Sequence, residues 1–129
     1  MNFKSTGIVT YDPTAGKAAN QWWVIIRGDE GIIDYYKHWI EKKNKVLINK
    51  PLFGSHISVV RGEEPTHKEL WRYNHDVEVE FEYSNQIDTL NGYWWVPVKC
   101  ERLSELRVKL GLSAEPLHGF HLTIGKEAW

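Results

Sequence analysis

The chain has 129 residues, a net charge of −1 and an aromatic share of 13%, which fits one compact domain with an ordinary core. The near-neutral balance of charge argues against a broad basic surface that would bind long nucleic acid. The single cysteine, Cys100, excludes an intramolecular disulfide and a zinc site built from cysteines.

The first half of the chain predicts one helix among several strands. Asp29 can cap a helix that runs to about Lys43. A turn is expected from Asp12 to Gly16, where proline and glycine interrupt the pattern. The amphipathic positions of the helix are Ile32, Ile33, Tyr36, Trp39 and Ile40. Strands, rich in β-branched and aromatic residues, are predicted at Gly7–Val9, Gln21–Arg27, Val46–Ile48 and His56–Val60.

The second half predicts more strands and two helices. Thr66 is followed three residues later by Glu69, a capping-box pattern that favours a short helix to Tyr73. Asp76–Tyr83 alternates strictly between apolar and acidic residues, as a half-buried antiparallel strand does. The remaining predicted elements are a hairpin turn at Asn91-Gly92, a strand at Tyr93–Val98, a helix at Leu103–Leu110 and a strand at Phe120–Ile124. This order predicts an α+β domain in which antiparallel pairing dominates.

Two short segments repeat one pattern, 65 residues apart: His56-Ile57-Ser58-Val59 and His121-Leu122-Thr123-Ile124. Each reads histidine, apolar, hydroxyl, apolar, and each follows a glycine by two residues. One such segment alone is usually an ordinary solvent-facing strand. Because residues i and i+2 of a strand share a face, each segment presents an imidazole beside a hydroxyl. The repetition predicts a pseudo-twofold arrangement in which the two pairs meet.

Two histidines that meet in this way can perform general acid–base chemistry. Histidine titrates near neutral pH, so one ring can remove a proton from a ribose 2′-hydroxyl or a water while the other protonates the departing oxygen. Ser58 and Thr123 can donate hydrogen bonds to the non-bridging phosphate oxygens, where charge builds in the transition state. The pattern therefore predicts phosphodiester cleavage that uses no metal and no other cofactor.

The doubled motif resembles that of the 2H phosphoesterase superfamily. The resemblance implies His56, Ser58, His121 and Thr123 as the catalytic set. It also implies a single bilobal α+β domain in which two antiparallel-rich sheets, with flanking helices, face each other across a central cleft.

The flanking segments are similar to a small phage subgroup of this superfamily, the anti-CBASS nucleases. The similar segments are Gly54–Glu63 and His118–Lys126. This resemblance implies a cyclic oligonucleotide messenger as the substrate, with phage counter-defence as the role. The implied reaction is attack of a 2′-hydroxyl on a 3′–5′ bond, which leaves a 2′,3′-cyclic phosphate.

Other functions remain open at this stage. The same superfamily chemistry suits 2′,5′-oligoadenylate, RNA 2′,3′-cyclic phosphate ends or an ADP-ribose cyclic phosphate. A nucleotide-binding sponge would have the same surface without turnover. In a structural or partner-binding protein, the two motifs would be a coincidence and the histidines would not converge.

Further residues are candidates for contacts with a nucleotide. Tyr11 and Trp71 are predicted to stack on bases, although each could equally pack against the core. Arg61 and Lys126 follow the motif hydroxyls by three residues, and this odd spacing predicts that they lie on the opposite face as solvated charges. The residues just beyond the second motif whose role stays open are Glu127 and Trp129.

The sequence also predicts a compartment. The first ten residues lack the apolar run of a signal peptide, and the longest apolar stretch, Trp22–Ile26, is too short to span a membrane. A lone cysteine suits a reducing environment. We therefore expect one domain over residues 1–129 that is cytoplasmic, binds no membrane and takes a small cyclic or short oligonucleotide as its partner. The oligomeric state stays open.

Overall fold

The computed structural model describes residues 2–14 and 22–128. The strands are β1 (Asn2–Tyr11), β2 (Trp23–Arg27), β3 (Ile48–Asn49), β4 (His56–Arg61), β5 (Glu78–Ser84), β6 (Asp88–Leu90), β7 (Tyr93–Lys99) and β8 (His121–Glu127). The helices are α1 (Glu30–Asn44) and α2 (Glu101–Lys109), and a 3₁₀ turn covers Lys68–Leu70. Parts of the predicted elements, namely Ala15, Gly16 and Gln21, lie outside the described residues, as does Trp129.

The eight strands of the described residues belong to one sheet, in the order β3-β8-β4-β2-β1-β5-β7-β6, and every pairing between them is antiparallel. An additional pairing of β7 with β8 joins the two sides, so the sheet closes into a barrel of six strands with β3 and β6 attached. The prediction of a small α+β, antiparallel domain is confirmed. The predicted pair of separate sheets facing across a cleft is not confirmed, because the strands form one closed sheet. Local sequence patterns could not reveal the pairing of β7 with β8 that closes it.

Helix α1 forms where the sequence predicts it. The Asp29 side chain accepts a hydrogen bond from the Gly31 backbone N–H at 2.8 Å, which caps the helix. The helix ends at Lys45, which takes the left-handed conformation. Ile32, Ile33, Tyr36 and Ile40 are buried, whereas Trp39, also predicted to face the core, is 49% exposed.

The second predicted helix is the largest local error. Residues 66–73 form only the 3₁₀ turn, and Thr66 donates its hydroxyl to the Gly111 carbonyl instead of capping a helix. The competing partner lies 45 residues away in the chain, so the capping pattern could not reveal it. Helix α2 forms as predicted, with Leu103 and Leu106 buried.

Strand alternation gives the sheet an apolar face and a more polar face, although β2 is buried on both faces except at Arg27. Val79 and Phe81 of β5 are buried while Glu78 and Glu80 are exposed, as the pattern predicts. The apolar face and the buried apolar residues of both helices form one hydrophobic cluster. No helix in the described parts of the chain is long and apolar enough to cross a bilayer.

Candidate active site

The two repeated motifs lie next to each other on paired strands. Ile57 of β4 is the register partner of Leu122 of β8, and both side chains are 1% exposed. Because the strands are antiparallel, the residues on either side of this pair meet across it: His56 lies opposite Thr123, and Ser58 lies opposite His121. All four are half-buried on the polar face. The structure thus brings the four predicted catalytic residues together.

The flanking strands support this set from both sides. On β2, Arg27 pairs with His56 and Ile25 pairs with Ser58. On β7, Trp95 pairs with Thr123, and its ring lies 6.4 Å from that of His121. The four motif residues are therefore held in the middle of the sheet, where neighbouring strands on each side restrain their backbones.

A glycine two residues before each histidine orients the imidazole. The His56 Nδ1 atom lies 2.9 Å from the Gly54 carbonyl oxygen, and His121 Nδ1 lies 3.4 Å from that of Gly119. A carbonyl can only accept, so each Nδ1 carries a proton and each neutral ring keeps an unprotonated Nε2. Gly54 and Gly119 both have positive φ, at +74° and +69°, a conformation that side chains other than glycine rarely adopt. In both motifs, the carbonyl of the glycine therefore leaves the Nε2 atom of the neutral ring unprotonated.

The electrostatic surroundings lower the pKa of both imidazoles. Burial is the main cause of the lowered pKa of His56, and the charges of Arg61, Arg27 and His121 lower it further. Burial also dominates for His121, whose pKa His118 and Arg61 lower further. The positive charge of Arg61 thus contributes to the lowered pKa of both imidazoles.

The Ser58 hydroxyl has a dedicated donor. Trp23 is 1% exposed, and its indole Nε1–H donates to Ser58 Oγ at 3.1 Å. Indole nitrogen only donates, so Ser58 accepts this bond and keeps its own proton for another acceptor. The Trp23 ring also contacts His56 edge-on at 5.7 Å. This tryptophan, which the sequence analysis did not single out, links both polar residues of the first motif.

Arg61 lies on the same face as Ser58, which corrects the prediction that it lies opposite. The register of β2 and β4 shifts between Val24 and Ile25, so that Val59 is an extra residue, a β-bulge. Beyond the bulge, Arg61 pairs with Trp23, and its guanidinium lies 5.2 Å from the centre of the Trp23 ring. Two consecutive buried valines, Val59 and Val60, are the sequence signal that could have revealed the bulge.

The second motif repeats this device. The register of β7 and β8 shifts after Thr123, so Ile124 is the extra residue and Lys126 pairs with Tyr93. The Lys126 ammonium lies 5.2 Å from the centre of the Tyr93 ring. Lys126 therefore lies on the Thr123 side of the sheet, again contrary to the prediction. Each motif ends in a bulge and a cation that lies over an aromatic ring.

The two predicted stacking residues differ in position. Tyr11 is 2% exposed, its hydroxyl donates to the Tyr73 carbonyl, and its ring packs edge-on against Trp71. A buried ring offers no face to a base, so we withdraw the stacking prediction for Tyr11. Trp71 is half-buried, and its indole N–H donates to Asp12 Oδ2 at 3.1 Å. Stacking by Trp71 stays a prediction.

Two grooves lie away from the four motif residues. One, of about 660 Å³, lies between the 3₁₀ turn and α2, where Leu70 and Val108 line it. The other, of about 620 Å³, lies beside α1, where Tyr35 and Trp39 line it. Within residues 2–14 and 22–128, no group of three or more His, Cys, Asp or Glu side chains could hold a metal ion.

Comparison with known proteins adds no assignment. No protein-family model, no curated protein and no solved structure matches this chain.

Proposed function

We propose that this protein is a metal-independent phosphodiesterase of the 2H type. The single observation that carries the proposal is the pairing of Ile57 with Leu122, which joins two His-x-hydroxyl motifs across adjacent strands on one polar face. Chance repetition of a four-residue pattern gives no reason for the two copies to pair in register. The two-lobed cleft of that superfamily remains part of the proposal.

In the proposed reaction, the two Nε2 atoms divide the proton transfers. One ring, neutral in the free protein because burial lowers its pKa, accepts the proton of the attacking 2′-hydroxyl. The other enters the step protonated, a state that the anionic phosphate favours by raising the pKa of a neighbouring imidazole. It gives its proton to the departing 5′-oxygen, so the products are a 2′,3′-cyclic phosphate and a free 5′-hydroxyl.

The phosphate is held by groups of both motifs. Ser58 donates the proton that Trp23 leaves free, and Thr123 donates from the neighbouring strand. Arg61 and Lys126 supply positive charge at the two ends of the site. These contacts suit an anionic diester whose chain continues past the scissile phosphate, in line with the proposed cyclic oligonucleotide substrate of an anti-CBASS nuclease.

The test is a cleavage assay on a substrate panel with EDTA present throughout. The panel contains cyclic di- and trinucleotides, 2′,5′-oligoadenylate and an RNA 2′,3′-cyclic phosphate end, with products separated by chromatography and identified by mass. We expect linear products ending in a 2′,3′-cyclic phosphate. A matched cyclic dinucleotide with 2′-O-methyl groups lacks the nucleophile and should remain intact. Binding without cleavage of any member would favour the sponge instead.

A further inference from the structure

The bulge that turns Arg61 toward the site is held by a buried arginine of α2. Arg107 is 0% exposed, and its Nη1 donates to the carbonyl of Val59, the extra residue of the bulge, at 2.8 Å. A bulge residue lies outside the regular ladder, so its carbonyl needs a partner from elsewhere. Arg107 supplies that partner from a position 48 residues further along the chain.

The same guanidinium holds Glu63 on the other side of Arg61. Its Nη1 and Nη2 donate to the two Glu63 carboxylate oxygens, each at 2.8 Å. The remaining donors reach Ser113, with Nε at 2.8 Å from the carbonyl and Nη2 at 3.3 Å from the hydroxyl. All five guanidinium N–H groups are therefore used, which a lysine could not reproduce.

Glu63 in turn interacts with the backbone N–H of Arg61. The Arg107 guanidinium and, less strongly, the Arg61 backbone N–H hold the pKa of the Glu63 carboxyl below its usual range. Between them, Gly62 takes a positive φ of +73° and donates its N–H to the Trp22 carbonyl at 3.1 Å. The strand is thus restrained two residues before Arg61, at Arg61 itself and two residues after it.

We propose that Arg107, acting through Val59 and Glu63, is a positioning residue that keeps the Arg61 guanidinium on the face of His56 and His121. Without the bulge, the two-residue period of a strand would turn Arg61 to the other face. This inference rests on the proposed function only for the role of Arg61 in the reaction. The position of the Arg61 guanidinium can be tested without an activity assay.

The test is an NMR titration of the two active-site imidazoles. In R61A, the pKa of both His56 and His121 should rise, because the charge that lowers them is gone. R107K keeps the positive charge but loses most of the five bonds, and we expect both pKa values to move upward toward those of R61A. R61A/R107K should titrate like R61A alone, because Arg107 acts through Arg61.

A second variant guards against loss of the fold. R107M/E63Q removes one charge of each sign, so no buried charge is left unpaired and the long-range field changes little. It too should raise both pKa values. The control is K42A, since Lys42 lies 5.4 Å from the Trp39 ring on α1, a cation–aromatic pair away from the site. K42A should leave both titrations as in wild type.

The proposal would be overturned if folded R107K or R107M/E63Q kept the wild-type pKa values of His56 and His121. It would also be overturned if adding R107K to R61A raised these pKa values further. Where turnover is found, R107K and R61A should each lower kcat/KM by about 10- to 100-fold, as the loss of a charge-assisted contact does, and their effects should not add. Absence of turnover in the wild type would refute the proposed function and leave the titration result standing.

Discussion

Replacement of either motif histidine by alanine should abolish most turnover while leaving binding nearly intact. General acid or base catalysis contributes about 10²- to 10⁴-fold per group. At 1.36 kcal/mol per tenfold change, His56→Ala or His121→Ala should therefore raise the activation barrier by about 3 to 5 kcal/mol. The loss should fall on kcat. Because burial lowers the pKa of both imidazoles, both rings are neutral in the free protein near pH 7.5. Replacing either ring by alanine therefore removes no positive charge from the free protein.

The two losses should not multiply. The proposed base and acid act in one displacement, so removing the second group from an already impaired step changes little. The kcat of the double variant is expected to be no more than about tenfold below that of the less active single variant. Initial rates over a range of substrate concentrations, with EDTA present, separate kcat from KM, and equilibrium binding to the H121A variant checks affinity directly. His38→Ala, on the exposed part of α1, is the matched control and should retain wild-type kinetics.

A specific outcome would refute this reasoning. If either single variant, with its unfolding curve unchanged, kept kcat within about tenfold of wild type, its imidazole would not be an acid or a base in the reaction. If KM rose and kcat held, the histidine would be a binding group only, and the role of the paired motifs would need another explanation.

Three further outcomes follow from the same geometry. The pH optimum of kcat/KM should lie below about 6.5, the ordinary histidine pKa, because both pKa values are lowered; an optimum above pH 7.5 in pH–rate data would contradict this. W23F removes the donor to Ser58 and should lower kcat about fivefold, as the loss of roughly 1 kcal/mol implies, while W39F should not. Because both histidines have lower pKa values in the folded state, they bind protons first in the unfolded state as the pH falls below about 6.5, and the free energy of unfolding should decrease there. Urea titrations should show a smaller decrease in H56A/H121A.

Much of the fold was predictable because its signals are local. The Asp29 cap, the alternation of β5 and the Asn91-Gly92 turn each depend on residues within a few positions of one another. In the turn, Asn91 and Gly92 both have positive φ, as a two-residue hairpin requires. Such features are decided by backbone sterics and by the period of the element, so sequence alone reports them.

The candidate site was predictable in its residue types but not in its surroundings. The repeated motif identified four side chains, and the alternation of a strand correctly put each imidazole beside its hydroxyl. That same alternation put Arg61 and Lys126 on the wrong face of the sheet, because a bulge in each strand shifts the two-residue period by one residue. The burial of Tyr11 was equally out of reach, since its partners Trp71 and Tyr73 lie about 60 residues away.

The sequence by itself determined most of the strands, the helices α1 and α2, and the repeated order of the four residues that carry imidazoles and hydroxyls. Only the tertiary structure decided that β4 and β8 are neighbours, that the sheet closes through β7, and that Arg107 reaches the Val59 carbonyl. The physical reason is the separation along the chain over which each kind of interaction acts. Propensity and periodicity act over a few residues, whereas strand order and a buried guanidinium depend on the burial of apolar faces against partners far along the chain.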